Sequence, residues 1–270
     1  MFMPSLTHLS LFSGIGGIDL AAEWAGFETV GQCEFADYPR KVLEKHWPDV
    51  PRWKDVRDVT ATSFLERTRL TAPTLISAGF PCQPHSLVGK RKASGDERDL
   101  WPELRRVLCE IRPQWGLLEN VRGLLSSGHN RFFGGILRDL ADLGYAVGWC
   151  LYGANRVGAI HQRERVFIVA YAPRGRWDGL EADFQDRCPE LDPSPMEVWQ
   201  NDARHVFHDL GRNVSNPSDG VLRNDDGLSE RMDNLVALGN AVVPWQVYPI
   251  LRMIAMIETE YAKQIKDGGN

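Results

Sequence analysis

A cysteine follows a mostly apolar stretch in the first third of the chain. Cys82 lies in the run Gly-Phe-Pro-Cys-Gln-Pro-His-Ser at residues 79–86, and residues 72–78 before it are predicted to form a short buried strand. Gly79 and the two prolines of the run prevent a helix from continuing through the cysteine. The thiol is therefore expected to be partly exposed at the start of a polar loop. Most lone cysteines are inert small hydrophobes, but this setting favours a nucleophile.

A glycine-rich turn follows the first predicted strand. Its glycines are Gly14, Gly16 and Gly17. Absent Cβ atoms let a ligand approach the backbone of such a turn, and the start of the next helix favours a polar or anionic group. Glu34 ends the second strand, where its carboxylate can bind both hydroxyls of a ribose. Asp55 ends the third strand, well placed for the amino group of an adenine, and Phe35 can stack on the adenine ring. Either acid alone could instead be a solvated strand end.

The elements that position these residues alternate between strand and helix. Strands are predicted at residues 7–12, 28–33, 72–78, 114–118, 145–153 and 166–171, with a short one ending at residue 55. Helices are predicted from the glycine turn to about residue 25 and at 36–46, 62–67, 101–111, 131–143 and 247–263. This alternation indicates an α/β fold with a mostly parallel, doubly wound sheet covered by helices on both faces.

Regular patterning stops after residue 172. Residues 173–231 are rich in Pro, Gly, Asp, Asn and Arg and show little periodicity, which predicts a small irregular lobe or a string of loops. Order returns near residue 235. The predicted organisation is therefore a catalytic and cofactor-binding domain at 1–172, a small lobe at 173–231, and a C-terminal segment at 232–270 that returns to the first domain.

Composition narrows the class of protein. Of the 270 residues, 43% are hydrophobic and 25% charged, and no apolar run approaches the length of a membrane span. The N-terminus lacks the pattern of a secretory signal, so a cytoplasmic location is expected. Five cysteines form no Cys-x-x-Cys pair, which argues against a disulfide framework and a zinc site, and no metal is expected.

The net charge of the chain and the local charge near Cys82 differ in sign. A net charge of −5 does not favour phosphate binding by the molecule as a whole. Lys90, Arg91 and Lys92 nevertheless lie close behind Cys82 in the sequence. Taken singly they could be solvated loop charges, but beside a nucleophile they suggest a rim that faces phosphates.

Five motifs occur along the chain in a fixed order. They are Leu-Phe-Ser-Gly-Ile-Gly-Gly at 11–17, the cysteine run at 79–86, Glu-Asn-Val at 119–121, Gln-Arg-Glu-Arg at 162–165 and Leu-Gly-Asn-Ala-Val-Val-Pro at 238–244. Each resembles a motif of the 5-methylcytosine DNA methyltransferases, and the resemblance covers residues 6–171 and 234–262. One such string would be weak evidence, but five in this order make chance agreement very unlikely.

The resemblance implies a Rossmann-like fold, S-adenosylmethionine as cofactor and methylation of cytosine at C5. Cytosine C5 is a poor nucleophile, so the reaction begins with attack of the Cys82 thiolate on C6. Glu119 contacts N3 and donates a proton if a closed, dry pocket raises its pKa. Arg165 holds the cytosine O2 and orients Glu119. Arg163 pairs with a phosphate or with the mobile loop.

The resemblance also implies the residues that bind cofactor and DNA. The cofactor contacts are Phe12, Ser13, Gly14, Gly16, Gly17, Glu34, Phe35, Asp55, Val56, Pro81 and Asn240. The DNA contacts are Gln83, Ser86, Lys90 and Arg91, on a segment at 83–98 that would close over a base swung out of the duplex.

Two residues depart from the family pattern. Ser10 stands where an acidic residue is usual, so cofactor affinity is expected to be at most weaker, and His161 replaces a glutamine.

The expected partner is double-stranded DNA, bound by a monomer that reads a short sequence through residues 173–231. A cognate restriction endonuclease would accompany it in a restriction-modification pair. Two other functions fit the same motifs: an RNA cytosine-5 methyltransferase, since one branch of the family acts on transfer RNA, and a catalytically silent nucleic-acid-binding protein. The combination of Cys82, Glu119, Arg163 and Arg165 argues against the silent protein.

Overall fold

The computed structural model describes residues 5–81, 100–127, 131–159, 162–172 and 241–267. The strands are β1 (Leu6–Leu11), β2 (Phe27–Cys33), β3 (Arg52–Trp53), β4 (Leu75–Ala78), β5 (Trp115–Val121), β6 (Ala146–Tyr152) and β7 (Arg165–Tyr171). The α-helices are α1 (Gly17–Trp24), α2 (Asp37–His46), α3 (Ala61–Thr68), α4 (Trp101–Ile111), α5 (Arg131–Asp142) and α6 (Pro244–Asp267). Among the helices of these ranges, none has the length and apolar character that crossing a membrane would need.

The seven strands form one sheet in the order β3-β2-β1-β4-β5-β7-β6. Strands β3, β2, β1, β4 and β5 pair in parallel, whereas β7 runs antiparallel to both of its neighbours. The chain leaves β1 toward β2 on one side and reaches β4 on the other. Ligands of open α/β sheets bind at such a switch point, outside the carboxyl ends of the strands. The glycine turn after β1 and the residues after β4 both lie there.

Both faces of the sheet are covered, as the alternation of elements predicted. Successive strand residues belong to two separate apolar cores: Leu118 contributes to the core that contains residues of α3, α4 and α5, whereas Leu117 contributes to the core that contains residues of α1 and α6. Successive side chains of a strand point to opposite faces, so these cores lie on opposite sides of the sheet. The doubly wound, mostly parallel α/β fold is confirmed.

Strand β5 extends further than the sequence predicts. We expected it to end at residue 118, leaving Glu119 at its end, but it continues to Val121. Antiparallel pairing with β7 explains the extension, because Glu119 lies opposite Phe167 and Val121 lies opposite Arg165. Polar residues continue the strand here because the neighbouring strand supplies hydrogen bonds to their backbone.

Smaller differences occur at other boundaries. Strand β3 ends at Trp53, and Asp55 instead begins a 3-10 turn at Val56–Asp58. Two further 3-10 turns, Arg122–Ser126 and Ala154–Val157, were not predicted. The last helix starts earlier and ends later than residues 247–263. The proposed division at residues 172 and 231 falls on parts of the chain outside the described residues.

Candidate active site

A buried ion pair lies near the carboxyl end of β5. The Oε1 atom of Glu119 is 2.8 Å from Nε of Arg165, the first residue of β7. The register places the two side chains as diagonal neighbours on one face of the antiparallel pair. Glu119 is only 7% exposed. Arg165 therefore fixes the position of a carboxyl group that is largely removed from water.

The same burial alters the acidity of Glu119. Burial raises the pKa of Glu119 to about 7, and the positive charges of Arg165 and Arg163 counteract only part of that increase. Near neutral pH a substantial fraction of Glu119 therefore carries a proton. A carboxyl group in this state can donate a proton or a hydrogen bond to a reacting ring nitrogen.

Arg163 binds the segment that precedes α6. Its Nη2 atom donates a hydrogen bond to the carbonyl oxygen of Ala241 at 2.5 Å. The backbone of Arg163 has φ of 28°, a region that residues other than glycine rarely adopt. Such a conformation costs on the order of 1–3 kcal/mol and persists only where surrounding contacts hold it. The resemblance implies a phosphate or the mobile loop as the partner of this side chain, whereas in this structure it contacts the main chain of the C-terminal segment.

The chain that leads to Cys82 is attached to β5. The side-chain Nδ2 of Asn120 donates to the carbonyl oxygen of Phe80 at 2.9 Å. At Gly79, a Cβ atom would lie 3.3 Å from Oε2 of Glu119, so the two chains are in close contact. Pro81 is exposed. The residue before the cysteine thus lies at the same sheet edge as Glu119.

Several predicted residues lie outside the described residues. They are Cys82, Gln83, Ser86, Lys90, Arg91, His161 and Asn240. Their roles stay predictions from the sequence.

The three glycines of the first turn have different surroundings. A Cβ atom at Gly16 would lie 2.5 Å from the ring of Trp47, and one at Gly17 would lie 2.4 Å from the carbonyl oxygen of Val242. Both positions are closed by packing within the protein. Gly14 has φ of 56°, and among the described residues no atom lies within 4 Å of the place that a Cβ would occupy. Of the three, Gly14 therefore leaves open space for a ligand.

Glu34 lies against this open position. Its Oε2 accepts a hydrogen bond from the backbone N–H of Gly14 at 2.8 Å, and its Oε1 accepts one from the N–H of Ala36 at 2.8 Å. Each carboxylate oxygen has a further lone pair, so the group can still accept hydrogen bonds from two hydroxyls. Phe35 is 67% exposed, and Nζ of Lys54 lies 5.7 Å from the centre of its ring. The predicted ribose and adenine contacts thus border one crevice.

The remaining predicted cofactor contacts have other roles as well. Asp55 accepts from the backbone N–H of Arg57 at 2.9 Å and so begins the 3-10 turn. Val56 is buried in the apolar core. Phe12 has φ of 53°, and the hydroxyl of Ser13 donates to the carbonyl oxygen of Ser10 at 3.2 Å. These contacts fix the backbone at the ends of β1 and β3.

Similarity to known proteins accords with this geometry. The profile of the C-5 cytosine-specific DNA methylase family matches residues 6–234. The chain belongs to this family. A Bacillus subtilis member, Type II methyltransferase M.BsuFI, is 34% identical over 62% of this chain and 40% of its own length. M.FnuDI of Fusobacterium nucleatum is 28% identical over 88% of this chain and 67% of its own length. The chain thus spans less than half of the Bacillus relative.

A solved structure shares the fold. A Dnmt2 variant from Spodoptera frugiperda superimposes with a TM-score of 0.52 at 22% identity, over 64% of this chain and 52% of that one. The fold of the described sheet and helices is therefore shared with that structure.

A buried carboxyl group lies beside Ser10, the position where the family usually has an acidic residue. The hydroxyl of Ser10 donates to Oδ2 of Asp19 at 2.8 Å, and Nε2 of Gln32 donates to Oδ1 at 2.8 Å. Asp19 is wholly buried, and burial raises its pKa to about 6 even though both hydrogen bonds lower it. Sequence reasoning missed this residue. Its signal was a single charged residue in the apolar stretch 11–22.

Proposed function

We propose that this protein transfers a methyl group from S-adenosylmethionine to C5 of a cytosine in a short duplex DNA sequence. The observation that supports this most is the buried pair of Glu119 and Arg165 beside the chain that leads to Cys82. The pKa of Glu119, raised to about 7, suits a group that must deliver a proton near neutral pH. Because the chain belongs to the cytosine-specific family, we assign N3 of the base as the acceptor of that proton.

Cys82 begins the reaction as a thiolate. Its sulfur forms a bond to C6, the electron pair of the C5–C6 double bond moves between C5 and C4, and the C4–N3 pair moves onto N3. Glu119 donates its proton to N3, which neutralises the charge that develops there. C5 then carries the electron density needed for methylation. Once C5 has bonded to the methyl group, Glu119 recovers its proton from N3. A base such as water then takes the C5 proton, the electron pair of that C–H bond restores the C5–C6 double bond, and the Cys82 sulfur leaves C6 as a thiolate.

The cofactor crevice fits S-adenosylmethionine, which supplies an electrophilic methyl group when bound. Glu34 would accept hydrogen bonds from the ribose hydroxyls beside the open position at Gly14. Phe35 would stack on the adenine, and Asp55 would accept from its amino group. The exposure of Phe35 and the remaining acceptor capacity of Glu34 support this assignment.

DNA contacts are assigned from the sequence. A target base must leave the duplex to meet Cys82, and this costs a few kcal/mol that protein contacts must offset. We assign closure over the base to residues 83–98, with contacts from Gln83, Ser86, Lys90 and Arg91. We assign sequence readout to residues 173–231. A monomer is expected, with a cognate restriction endonuclease as partner if the enzyme belongs to a restriction-modification pair.

Covalent trapping tests the assignment. The protein is incubated with S-adenosylmethionine and either duplex DNA or transfer RNA that carries 5-fluorocytosine, which cannot lose a proton from C5. We expect a denaturation-resistant adduct with DNA, none with Cys82→Ala, and an unchanged adduct with Cys109→Ala, which removes an exposed cysteine on α4. An adduct with RNA alone would establish the RNA methyltransferase instead. No adduct with either, together with no 5-methylcytosine in DNA from expressing cells, would support the silent binding protein.

A further inference from the structure

Gln246 is a wholly buried amide in the first turn of α6. Its Nε2 donates to two main-chain carbonyl oxygens, those of Tyr152 at 2.5 Å and Arg163 at 3.0 Å. Both partners are acceptors, so only the nitrogen of the amide can face them. The contacts join the C-terminal helix to two segments far away in the sequence.

These two carbonyl groups belong to backbone segments next to Arg165. Tyr152 ends β6 and is the cross-strand partner of Arg165, and Arg163 precedes Arg165 by two residues. Gln246 therefore holds the backbone of the neighbouring strand and the backbone that enters β7. Arg165 in turn contacts Glu119 through its Nε.

A second hydrogen bond joins the same two parts of the chain, with Arg163 as the donor. The guanidinium group of Arg163 donates to the carbonyl of Ala241, while Gln246 binds the carbonyl of Arg163 itself. Arg163 is also the residue with φ of 28°. Contacts at both its side chain and its carbonyl hold it in this uncommon conformation.

We propose that Gln246 is a positioning residue for methyl transfer: it fixes the backbone of Arg163 and Tyr152 and so keeps Arg165 paired with Glu119 and the charge of Arg163 near it. This inference rests on the proposed function. Within the described residues, the charged groups that act on Glu119 are these two arginines. A role through them predicts a rise in the pKa of Glu119 when they are displaced, whereas loosened packing alone would admit water and lower that pKa.

Gln246→Met tests the proposal, because methionine fills a similar volume but cannot donate a hydrogen bond. The matched control is Gln114→Met. Gln114 is also buried and its Nε2 also donates to a main-chain carbonyl, that of Ala172 at 2.7 Å, but it precedes β5 at the end opposite Glu119. Both variants are measured for cofactor affinity, for single-turnover methyl transfer at saturating DNA and cofactor between pH 6 and 9, and for melting temperature.

We expect Gln246→Met to slow methyl transfer about tenfold or more, since small misplacement of reacting groups has effects of this size. The arginines lower the pKa of Glu119, so their displacement should raise it and move the high-pH fall in rate upward. Cofactor affinity should change less than threefold, and Gln114→Met should retain the normal rate and midpoint. An unchanged midpoint in Gln246→Met, or an equal loss in both variants, would overturn the proposal.

Two further measurements keep the test decisive. If Gln246→Met does not fold, Gln246→Asn is used, because its shorter amide reaches fewer partners. This variant should shift the midpoint of the pH–rate profile in the same direction but by less. No shift would overturn the proposal. Carboxyl NMR titration of Glu119, assigned with Glu119→Gln, needs neither DNA nor turnover. If the protein has no activity but Gln246→Met still raises the pKa of Glu119, the positioning role holds and only the proposed function fails.

Discussion

A Cβ atom at position 17 would lie 2.4 Å from the carbonyl oxygen of Val242. The first turn of α1 therefore contacts the segment before α6 so closely that only glycine fits. This contact continues into the packing of α1 against α6, where Ala21 and Leu251 are both fully buried. The turn that borders the cofactor crevice is thus held in place by the C-terminal part of the chain.

Gly17→Ala should destabilise the protein. The added methyl group must push the backbone of Val242 away, and overpacking of this kind costs ~1–3 kcal/mol. Gly134→Ala is the control, because Gly134 is exposed on α5 and its Cβ would meet nothing within 4 Å in the part of the chain that the structure describes. Chemical denaturation should show a lower unfolding free energy for Gly17→Ala and an equal or higher one for Gly134→Ala. Equal stability of the two variants would contradict the contact.

The sequence predicts those parts of the site that depend on local pattern. Helix α4 has the predicted bounds, and Glu34 lies beside Gly14 as the spacing of strand and turn indicates. Contacts between distant segments could not be predicted. Nothing local in Gly17 reveals Val242 as its neighbour, and the extension of β5 through Glu119 depends on pairing with β7.

Ser10 shows that a contact between residues close together in the sequence can also escape prediction from the sequence. A serine in place of an acid suggested only a weaker cofactor site. The structure supplies a carboxylate from Asp19, in the first turn of α1, at 2.8 Å from the serine hydroxyl. Its burial depends on how α1 packs against the sheet, which the pattern of residues 11–22 does not specify.

Glu119→Gln should slow methyl transfer far more than it weakens DNA binding. Glutamine keeps the shape of the side chain but has no acidic proton to give N3. Loss of a general acid typically lowers the rate by roughly 10²–10⁴-fold, and we expect a loss in that range for Glu119→Gln. Rapid-quench kinetics of the preformed complex measures the step directly. Glu110→Gln, which alters an ion pair with Arg106 on α4, should leave the rate unchanged. A defect confined to DNA affinity would assign Glu119 a structural role.

Asp19→Asn should stabilise the protein most at high pH. The pKa of Asp19 is raised from 3.8 unfolded to about 6 folded, so the folded state binds more protons between about pH 4 and 6. Stability is therefore lost as the pH rises through that window, by on the order of 2–3 kcal/mol from this group. Asparagine can keep both hydrogen bonds, accepting from Gln32 and donating to Ser10.

Denaturation of both proteins at pH 4.5 and pH 8 checks this prediction. The gain in unfolding free energy from Asp19→Asn should be larger at pH 8. A gain that is the same at both values would mean that Asp19 does not titrate differently in the folded and unfolded states.

Glu34→Ala should weaken S-adenosylmethionine binding by ~1–3 kcal/mol if the carboxylate binds the ribose hydroxyls through charged hydrogen bonds. The substitution also removes the acceptor for the N–H of Gly14, so the turn loses a contact as well as the ligand. Glu28→Ala is the matched control: Glu28 lies on the same strand but is exposed, and its contact is with Ser5 at the opposite end of β1. Calorimetry should show a loss of affinity for Glu34→Ala alone. Equal affinity in the two variants would place the cofactor away from the carboxyl end of β2.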